Sequence, residues 1–250
     1  MNVQIGTDTK PAKIVNEHVS IKHWPADDRP REKLLEHGAA HLTDAELLAI
    51  FLRVGVVGKS AVTLARELLD RFGSMADVVY APRDAFCAVH GMGDAKFVQL
   101  QASVEIARRA LASKMRDMPA MSSPEVVSDY LRLTLGHERI EVFVALWLDA
   151  NHRLIEMQPL FRGTLTQASV YPREVVRAAI EKNAAGVIFA HNHPSGRPTP
   201  SQADIRLTGA LKQALALIDV QVLDHCIVGA VDANRSISEA THSMAMMGQL

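Results

Sequence analysis

Apolar residues recur at helical spacing through the first half of the chain. We predict four helices there, over 41–51, 61–72, 83–89 and 94–114. Thr43 stands near the start of the first helix and Glu46 follows three residues later, a spacing that is typical of a capping box. Ser60 precedes the second helix, and Gly73 follows its last residue. Residues 21–114 are therefore predicted to form a small all-helical domain.

The pattern changes after residue 123, where apolar runs of strand length alternate with amphipathic helices. The predicted strands span 141–149, 153–161, 186–190 and 220–228, and the predicted helices span 124–135, 172–183 and 201–218. Strands interleaved with helices indicate an α/β domain over 124–250. Residues 115–123 lack this periodicity and are predicted to be a linker, and residues 1–20 are predicted to be a mobile tail.

Composition and charge narrow the class of protein. The 250 residues carry a formal net charge of −1, so any surface that binds nucleic acid must be a local patch. The two cysteines, Cys87 and Cys226, cannot form a disulfide framework and are expected to be buried packing residues. No apolar segment reaches the length of a membrane span, and the first 20 residues contain no signal-peptide core. We therefore expect no membrane contact and a cytoplasmic location.

The candidate chemistry is concentrated in residues 191–204, which begin where a predicted buried strand ends. His191 and His193 are two residues apart, so their side chains project to the same side of an extended backbone. A loop rich in proline then returns the chain to a helix that carries Asp204. Two imidazoles and one carboxylate are a typical set of zinc ligands, and they leave a fourth position for water. Zinc lowers the pKa of that water from about 15.7 to roughly 7.

Each part of this segment also has an interpretation without metal. A lone pair of histidines at this spacing is more often a packing feature, and Ser201 with Asp204 has the spacing of a helix capping box. A capping box and a metal ligand are compatible, and the conjunction of these features within 14 residues favours metal. His225 and Asp224 lie in an apolar strand, where a hydrogen-bonded core histidine behind the site is a better interpretation than a further ligand.

The segment resembles the motif of the JAMM, or MPN-plus, metallohydrolases. That motif has an upstream Glu, then His-x-His, seven residues, Ser, two residues and Asp, and the same spacing is present here. More narrowly, His-Asn-His-Pro-Ser-Gly is similar to the bacterial RadC branch of the family. The similarity extends from about residue 28 to residue 238. It implies a JAMM-type mixed sheet flanked by helices, and hydrolysis of a peptide or isopeptide bond in a protein or peptide substrate.

The resemblance also implies a role for each residue of the motif. The implied ligands of a Zn²⁺ ion are His191, His193 and Asp204. Ser201 matches the hydroxyl that stabilises a tetrahedral oxyanion. Glu141 best matches the general base, which takes a proton from zinc-bound water and passes it to the leaving amine. From the residues alone, Glu138 and Glu156 compete with Glu141 for this role.

Residues 90–96 resemble a helix-hairpin-helix element, in which Gly-hydrophobic-Gly precedes a helix with an early Lys. Backbone amides near Gly91 and Gly93, together with Lys96, are candidates for contact with a DNA phosphate. A plain pair of helices explains the glycines equally well, and Asp94 counts against strong binding. The alternative function is that of a DNA-binding accessory protein in repair or recombination, with a structural or vestigial metal site. The sequence identifies no particular substrate and no oligomeric state.

Overall fold

The computed structural model describes residues 21–163, 170–229 and 241–250, so the predicted mobile tail 1–20 lies outside the described residues. The chain forms two compact units, Met1–Leu100 and Gln101–Leu250. Within the described ranges the first unit is helical, and the second contains a five-stranded mixed sheet flanked by helices. The predicted α/β fold with an all-helical N-terminal region is confirmed. No helix in these ranges is long and apolar enough to cross a membrane.

Helices form the described part of the first unit. In chain order they are α1 (Pro30–His37), α2 (Asp44–Leu52), α3 (Ala61–Phe72), α4 (Met75–Val79), α5 (Arg83–Cys87) and α6 (Asp94–Asp117), the last of which continues into the second unit. The capping box predicted for α2 is present, since Thr43 accepts from Glu46 N–H and the Glu46 carboxylate accepts from Thr43 N–H. Ser60 caps α3 by accepting from Thr63 N–H, and Gly73 ends that helix with a φ of 105°. These bonds confirm the predicted caps of both helices, and α2 begins at Asp44, directly after its cap.

Two helices of the first unit carry little apolar periodicity. Half of the residues of α1 are charged and it buries only Pro30, and α4 is five residues long, so neither gives a periodic signal in the sequence. α6 extends to Asp117 rather than residue 114, so the predicted linker 115–123 begins inside a helix. Met115 explains the extension because, with Ala112, it is buried in the core of the second unit.

A five-stranded sheet forms the centre of the second unit. The helices and strands of this unit that follow α6 are, in chain order, α7 (Pro124–Leu135), β1 (Glu141–Leu148), β2 (Leu154–Gly163), α8 (Pro172–Glu181), β3 (Gly186–His193), α9 (Gln202–Ala216), β4 (Gln221–Gly229) and β5 (Thr241–Ser243). The strand order is β2-β1-β3-β4-β5. β3 and β4 are parallel and connected through α9, and the other neighbouring pairs are antiparallel. Pro124 opens α7 as predicted, although Ser123 makes no side-chain capping bond.

Helices cover both faces of the sheet. One face, with Leu146 in its core, packs against α7 and the end of α6. The other face, with Trp147 and Phe189 in its core, packs against α8 and α9. Burial on both faces explains why β1 is a continuous apolar run in the sequence. Cys226 is buried as predicted, whereas Cys87 lies at the end of α5 and is only partly buried, contrary to prediction.

The central strand β3 is longer than predicted, since it ends at His193 and not at residue 190. Its polar last residues stay in the sheet because they have partners in the neighbouring strands. His191 pairs with Phe143 of β1 on one side and with Ile227 of β4 on the other, and His193 pairs with Gly229 of β4. Both histidines are therefore held by the hydrogen-bond ladder of the sheet and not by a loop.

Candidate metal centre

Four potential ligands meet at the end of the central strand. They are Glu141, His191, His193 and Asp204, which we call the metal cluster. Their ligand atoms all lie within 4.8 Å of one another. β1 runs antiparallel to β3, so its first residue lies beside the end of β3, and α9 brings its first turn to the same point. The structure thus brings together the three predicted zinc ligands and the predicted general base.

The shortest distances in the metal cluster join the two histidines and the aspartate. Nε2 of His191 lies 2.9 Å from Nε2 of His193. Asp204 places Oδ1 3.5 Å from Nε2 of His191 and Oδ2 3.6 Å from Nε2 of His193. Glu141 lies slightly further out, with Oε1 3.8 Å from Nε2 of His191. The arrangement is a compact His/His/Asp set with a carboxylate at its margin.

With His193 neutral and Asp204 ionised, the atoms that these two residues turn toward the metal cluster are hydrogen-bond acceptors. Nδ1 of His193 lies 2.9 Å from the carbonyl oxygen of Arg197, which can only accept, so neutral His193 has its N–H on Nδ1 and a lone pair on Nε2. The ionised Asp204 carboxylate has no hydrogen to donate. Imidazole nitrogens and carboxylate oxygens that converge in this way are a typical ligand set for Zn²⁺. The residues present therefore fit the metal that the family resemblance implies.

Burial and neighbouring groups favour the metal-binding protonation states of His191 and Asp204. Burial lowers the pKa of His191 to about 4, so its ring is neutral at pH 7. Burial alone raises the pKa of Asp204, but hydrogen bonding to His193, the nearby His191 and hydrogen bonding to Ser201 together bring that pKa well below its usual range. The hydrogen bond with Asp204 raises the pKa of His193, and a bound cation would replace that proton.

The three acidic residues considered for the role of general base have different environments. Glu138 pairs with Arg162 at 3.2 Å, and Glu156 pairs with Lys182 at 2.6 Å. Glu141 instead belongs to the metal cluster. Of the three carboxylates, that of Glu141 is the one that would lie beside a water molecule on a metal held by the cluster. Its action as a base stays a prediction.

Ser201 is the N-cap of α9. Its Oγ accepts a hydrogen bond from Asp204 N–H at 3.2 Å, and Oδ2 of Asp204 accepts from Ser201 N–H at 2.6 Å. The predicted capping box therefore exists, and Asp204 belongs to it and to the metal cluster at once. The cap uses a lone pair of the Ser201 hydroxyl and does not need the O–H hydrogen, which is the group that the implied oxyanion role requires.

Asn192, between the two histidines, holds the start of β1 against the end of β3. Its Oδ1 accepts from Val142 N–H at 2.8 Å, and its Nδ2 donates to the carbonyls of Glu138 and Ile140, each at 3.0 Å. The side chain is almost fully buried, and its bond from Val142 N–H satisfies a backbone group that water does not reach. Asn192 thus fixes the backbone on both sides of Glu141. Sequence reasoning missed this role, although a polar residue inside a buried strand was the available signal.

Replacing Asn192 by leucine is expected to lower the free energy of unfolding by at least about 2 kcal/mol, because each buried polar group left without a partner costs roughly 1–3 kcal/mol. Urea denaturation measures the change. Asn151→Leu, at an exposed position in the turn between β1 and β2, is the matched control and should change the free energy by less than about 0.5 kcal/mol. Equal unfolding free energies for the two variants would contradict the role assigned to Asn192.

His225 is a hydrogen-bonded core histidine, as the sequence analysis favours. It is fully buried, with Nε2 2.8 Å from Nδ1 of His191 and Nδ1 2.6 Å from Oγ1 of Thr208. Asp224 lies on the opposite face of the sheet, where it accepts a hydrogen bond from the Ser243 hydroxyl. Within the described ranges neither residue belongs to the metal cluster. His225 nevertheless contacts one of its members directly.

The glycine turn between α5 and α6 is stabilised by its own charged side chains. Nζ of Lys96 donates to the carbonyl of Gly91 at 2.7 Å, and Arg83 pairs with Asp94 at 2.8 Å. Gly91 has a φ of 83°, and a Cβ there would lie 2.5 Å from Cγ1 of Val56. These contacts account for the glycine and the lysine in a plain pair of helices. DNA contact at this turn stays a prediction.

Comparison with known proteins gives matches along most of the chain. The family model described as RadC-like JAB domain matches residues 121–244, and the model described as UPF0758 N-terminal matches residues 21–98. A UPF0758 protein of Nitrosospira multiformis is 60% identical over 211 residues, which cover 84% of this chain and 94% of that protein. A UPF0758 protein of Ralstonia nicotianae is 56% identical over 214 residues, which cover 86% of this chain and 96% of that protein. One of Thiobacillus denitrificans is 55% identical over 224 residues, with 90% and 100% covered.

Proposed function

The chain belongs to the UPF0758 family, with a RadC-like JAB domain over residues 121–244, and we propose that it is a zinc-dependent metallohydrolase that cleaves peptide or isopeptide bonds. The observation that carries the proposal is the metal cluster, in which potential ligand atoms from two strands and a helix lie within 4.8 Å of one another. Three of these residues match the metal ligands of the JAMM motif, and the fourth matches its upstream Glu. The complete motif supports an active enzyme over a vestigial site.

His191, His193 and Asp204 would hold the zinc ion. The ion, when bound, supplies a water molecule whose pKa falls from about 15.7 to roughly 7. The histidines are positioned by the strand ladder and the aspartate by the capping box, so the ligand geometry is set before any metal binds. Three protein ligands leave room for water, which is typical of a catalytic site.

Glu141 and Ser201 would carry the proton transfer and the charge stabilisation. The Glu141 carboxylate takes a proton from the attacking water as the new C–O bond forms, and it returns that proton to the leaving amine as the C–N bond breaks. The Ser201 hydroxyl donates a hydrogen bond to the oxyanion that develops between these two events. One water molecule is consumed, and a carboxylic acid and an amine are released.

Hydrolysis is expected to depend on zinc. The experiment compares protein loaded with one equivalent of zinc against chelator-treated protein, using a mixture of quenched fluorescent peptides and a set of lysine-linked isopeptides. The zinc-loaded protein should cleave either the peptides or the isopeptides. The rate of cleavage by the chelator-treated protein should be at least about 100-fold lower, and added zinc should restore it. Absence of turnover of both substrate classes by the zinc-loaded protein would contradict the proposal.

A further inference from the structure

A chain of three buried hydrogen bonds lies behind the metal cluster. It begins at the backbone carbonyl of Asp204, which is 2.6 Å from Oγ1 of Thr208. Oγ1 of Thr208 is also 2.6 Å from Nδ1 of His225, and Nε2 of His225 is 2.8 Å from Nδ1 of His191. Both histidines are 0% exposed and Thr208 is 2% exposed, so bulk water does not compete for these bonds. The chain of bonds therefore links two members of the metal cluster through residues outside it.

The direction of the first two bonds follows from the atoms alone. A carbonyl oxygen can only accept, so the single hydroxyl hydrogen of Thr208 points to the carbonyl of Asp204. The sulfur of Met244, 3.8 Å from the same hydroxyl, is a more distant and weaker acceptor. Having given its hydrogen to the carbonyl, Oγ1 of Thr208 must accept from His225, which places an N–H on Nδ1 of His225.

The direction of the third bond follows from the second. His225 is enclosed by Phe143 and Phe189, and its hydrogen-bond partners in the described chain, Thr208 and His191, carry no negative charge. A buried ring in such surroundings is neutral and holds one N–H. Because that N–H is on Nδ1, Nε2 accepts a hydrogen bond from Nδ1 of His191. The lone pair of His191 is then on Nε2, the atom that faces His193 and Asp204.

We propose that Thr208 and His225 are positioning residues that fix the tautomer of His191, so that its Nε2 lone pair is directed to the metal site before the metal arrives. The link to zinc binding rests on the proposed function. The tautomer of His191 is a property of the metal-free protein and can be measured without it. Hydrogen-bond partners of this kind orient metal-binding histidines and raise their affinity for the ion. Neither residue touches the ion or the substrate.

The test is Thr208→Val, which removes the hydroxyl and keeps the shape, with Thr208→Ser as the matched control that keeps the hydroxyl. Zinc affinity is measured by competition with a chromophoric chelator, and the tautomer of His191 by long-range ¹H–¹⁵N NMR of the zinc-free protein. We expect Thr208→Val to bind zinc roughly 10–100-fold more weakly, as is usual for loss of such a partner. Its spectrum should show an N–H on Nε2 of His191 that is absent from the wild type and from Thr208→Ser.

Unchanged zinc affinity and an unchanged His191 tautomer in a folded Thr208→Val protein would overturn the proposal. If that variant does not fold, His225→Gln and His225→Leu form a second pair, because glutamine keeps a carbonyl acceptor for His191 and leucine does not. The His225→Gln protein should bind zinc more tightly than the His225→Leu protein. Equal zinc affinities for these two variants would overturn the inference. A wild-type protein that binds no zinc yet shows the expected tautomer would count against the proposed function and leave the positioning role intact.

Discussion

Replacing His193 by alanine is expected to reduce the zinc content of the purified protein from about one ion per chain to a trace. The lost imidazole is one of three ligands, and its Nε2 lies within 4 Å of both His191 and Asp204 at the centre of the metal cluster. With two ligands left, solvent has to complete the coordination and the ion is no longer retained through chromatography. Elemental analysis of the wild type and the variant, after reconstitution with zinc, measures the change.

The matched control for this variant is His23→Ala, at an exposed position in the first unit. It should retain the wild-type zinc content. That result would show that losing a histidine outside the metal cluster does not release the metal. A zinc content of one ion per chain in both variants would place the ion elsewhere in the protein. The catalytic interpretation of the metal cluster would then be wrong.

Replacing Glu141 by glutamine is expected to lower the rate of hydrolysis by about 10²–10⁴-fold while leaving the zinc content unchanged. The amide has nearly the shape of the carboxylate but cannot accept the proton from the attacking water. Glu141 lies at the margin of the metal cluster, 3.8 Å from Nε2 of His191, so its neutral replacement leaves the three ligands in place. The measurement combines steady-state kinetics on a cleaved substrate with elemental analysis of the same sample.

Glu138→Gln and Glu156→Gln are the controls for this second variant. Each removes a carboxylate of the same region that pairs with a basic side chain at the surface, with Arg162 and Lys182 respectively. Exposed ion pairs of this kind contribute little to the free energy of folding, so both variants should stay folded and retain most of the activity. An active Glu141→Gln protein beside an inactive Glu138→Gln or Glu156→Gln protein would show that the base had been assigned to the wrong residue.

Local signals in the sequence were enough to predict most of the elements. Thr43 and Ser60 cap their helices as predicted because a cap depends on residues only three positions apart. α1 was missed because it buries a single residue, and β5 because three residues carry no period. β3 was predicted too short because its last three residues are polar, and only the pairing with both neighbouring strands keeps them in the sheet.

The site shows the same division between local and long-range information. The spacing of His191, His193 and Asp204 can be read directly, because all three lie within one strand–loop–helix segment. Glu141 is 50 residues away from His191, and the register between β1 and β3, which no local pattern reveals, brings it to the cluster. Thr208 cannot be identified from the sequence, because a threonine one turn after Asp204 is an ordinary helix residue. Only its hydrogen bond with His225 in the folded chain reveals its role.

The position of the metal ligands on the central strand has a consequence for how long the protein lasts in a cell. Opening the sheet separates the ligands, so a bound ion favours the folded state of Gln101–Leu250 by RT ln(1 + [L]/Kd), about 4.1 kcal/mol when free zinc is 1,000 times Kd. That amount approaches the lower end of the roughly 5–15 kcal/mol by which whole domains are stable. On the proposed function, metal supply and resistance to proteolysis would be coupled, because a shortage of zinc would raise the unfolded fraction of the protein as well as remove its activity.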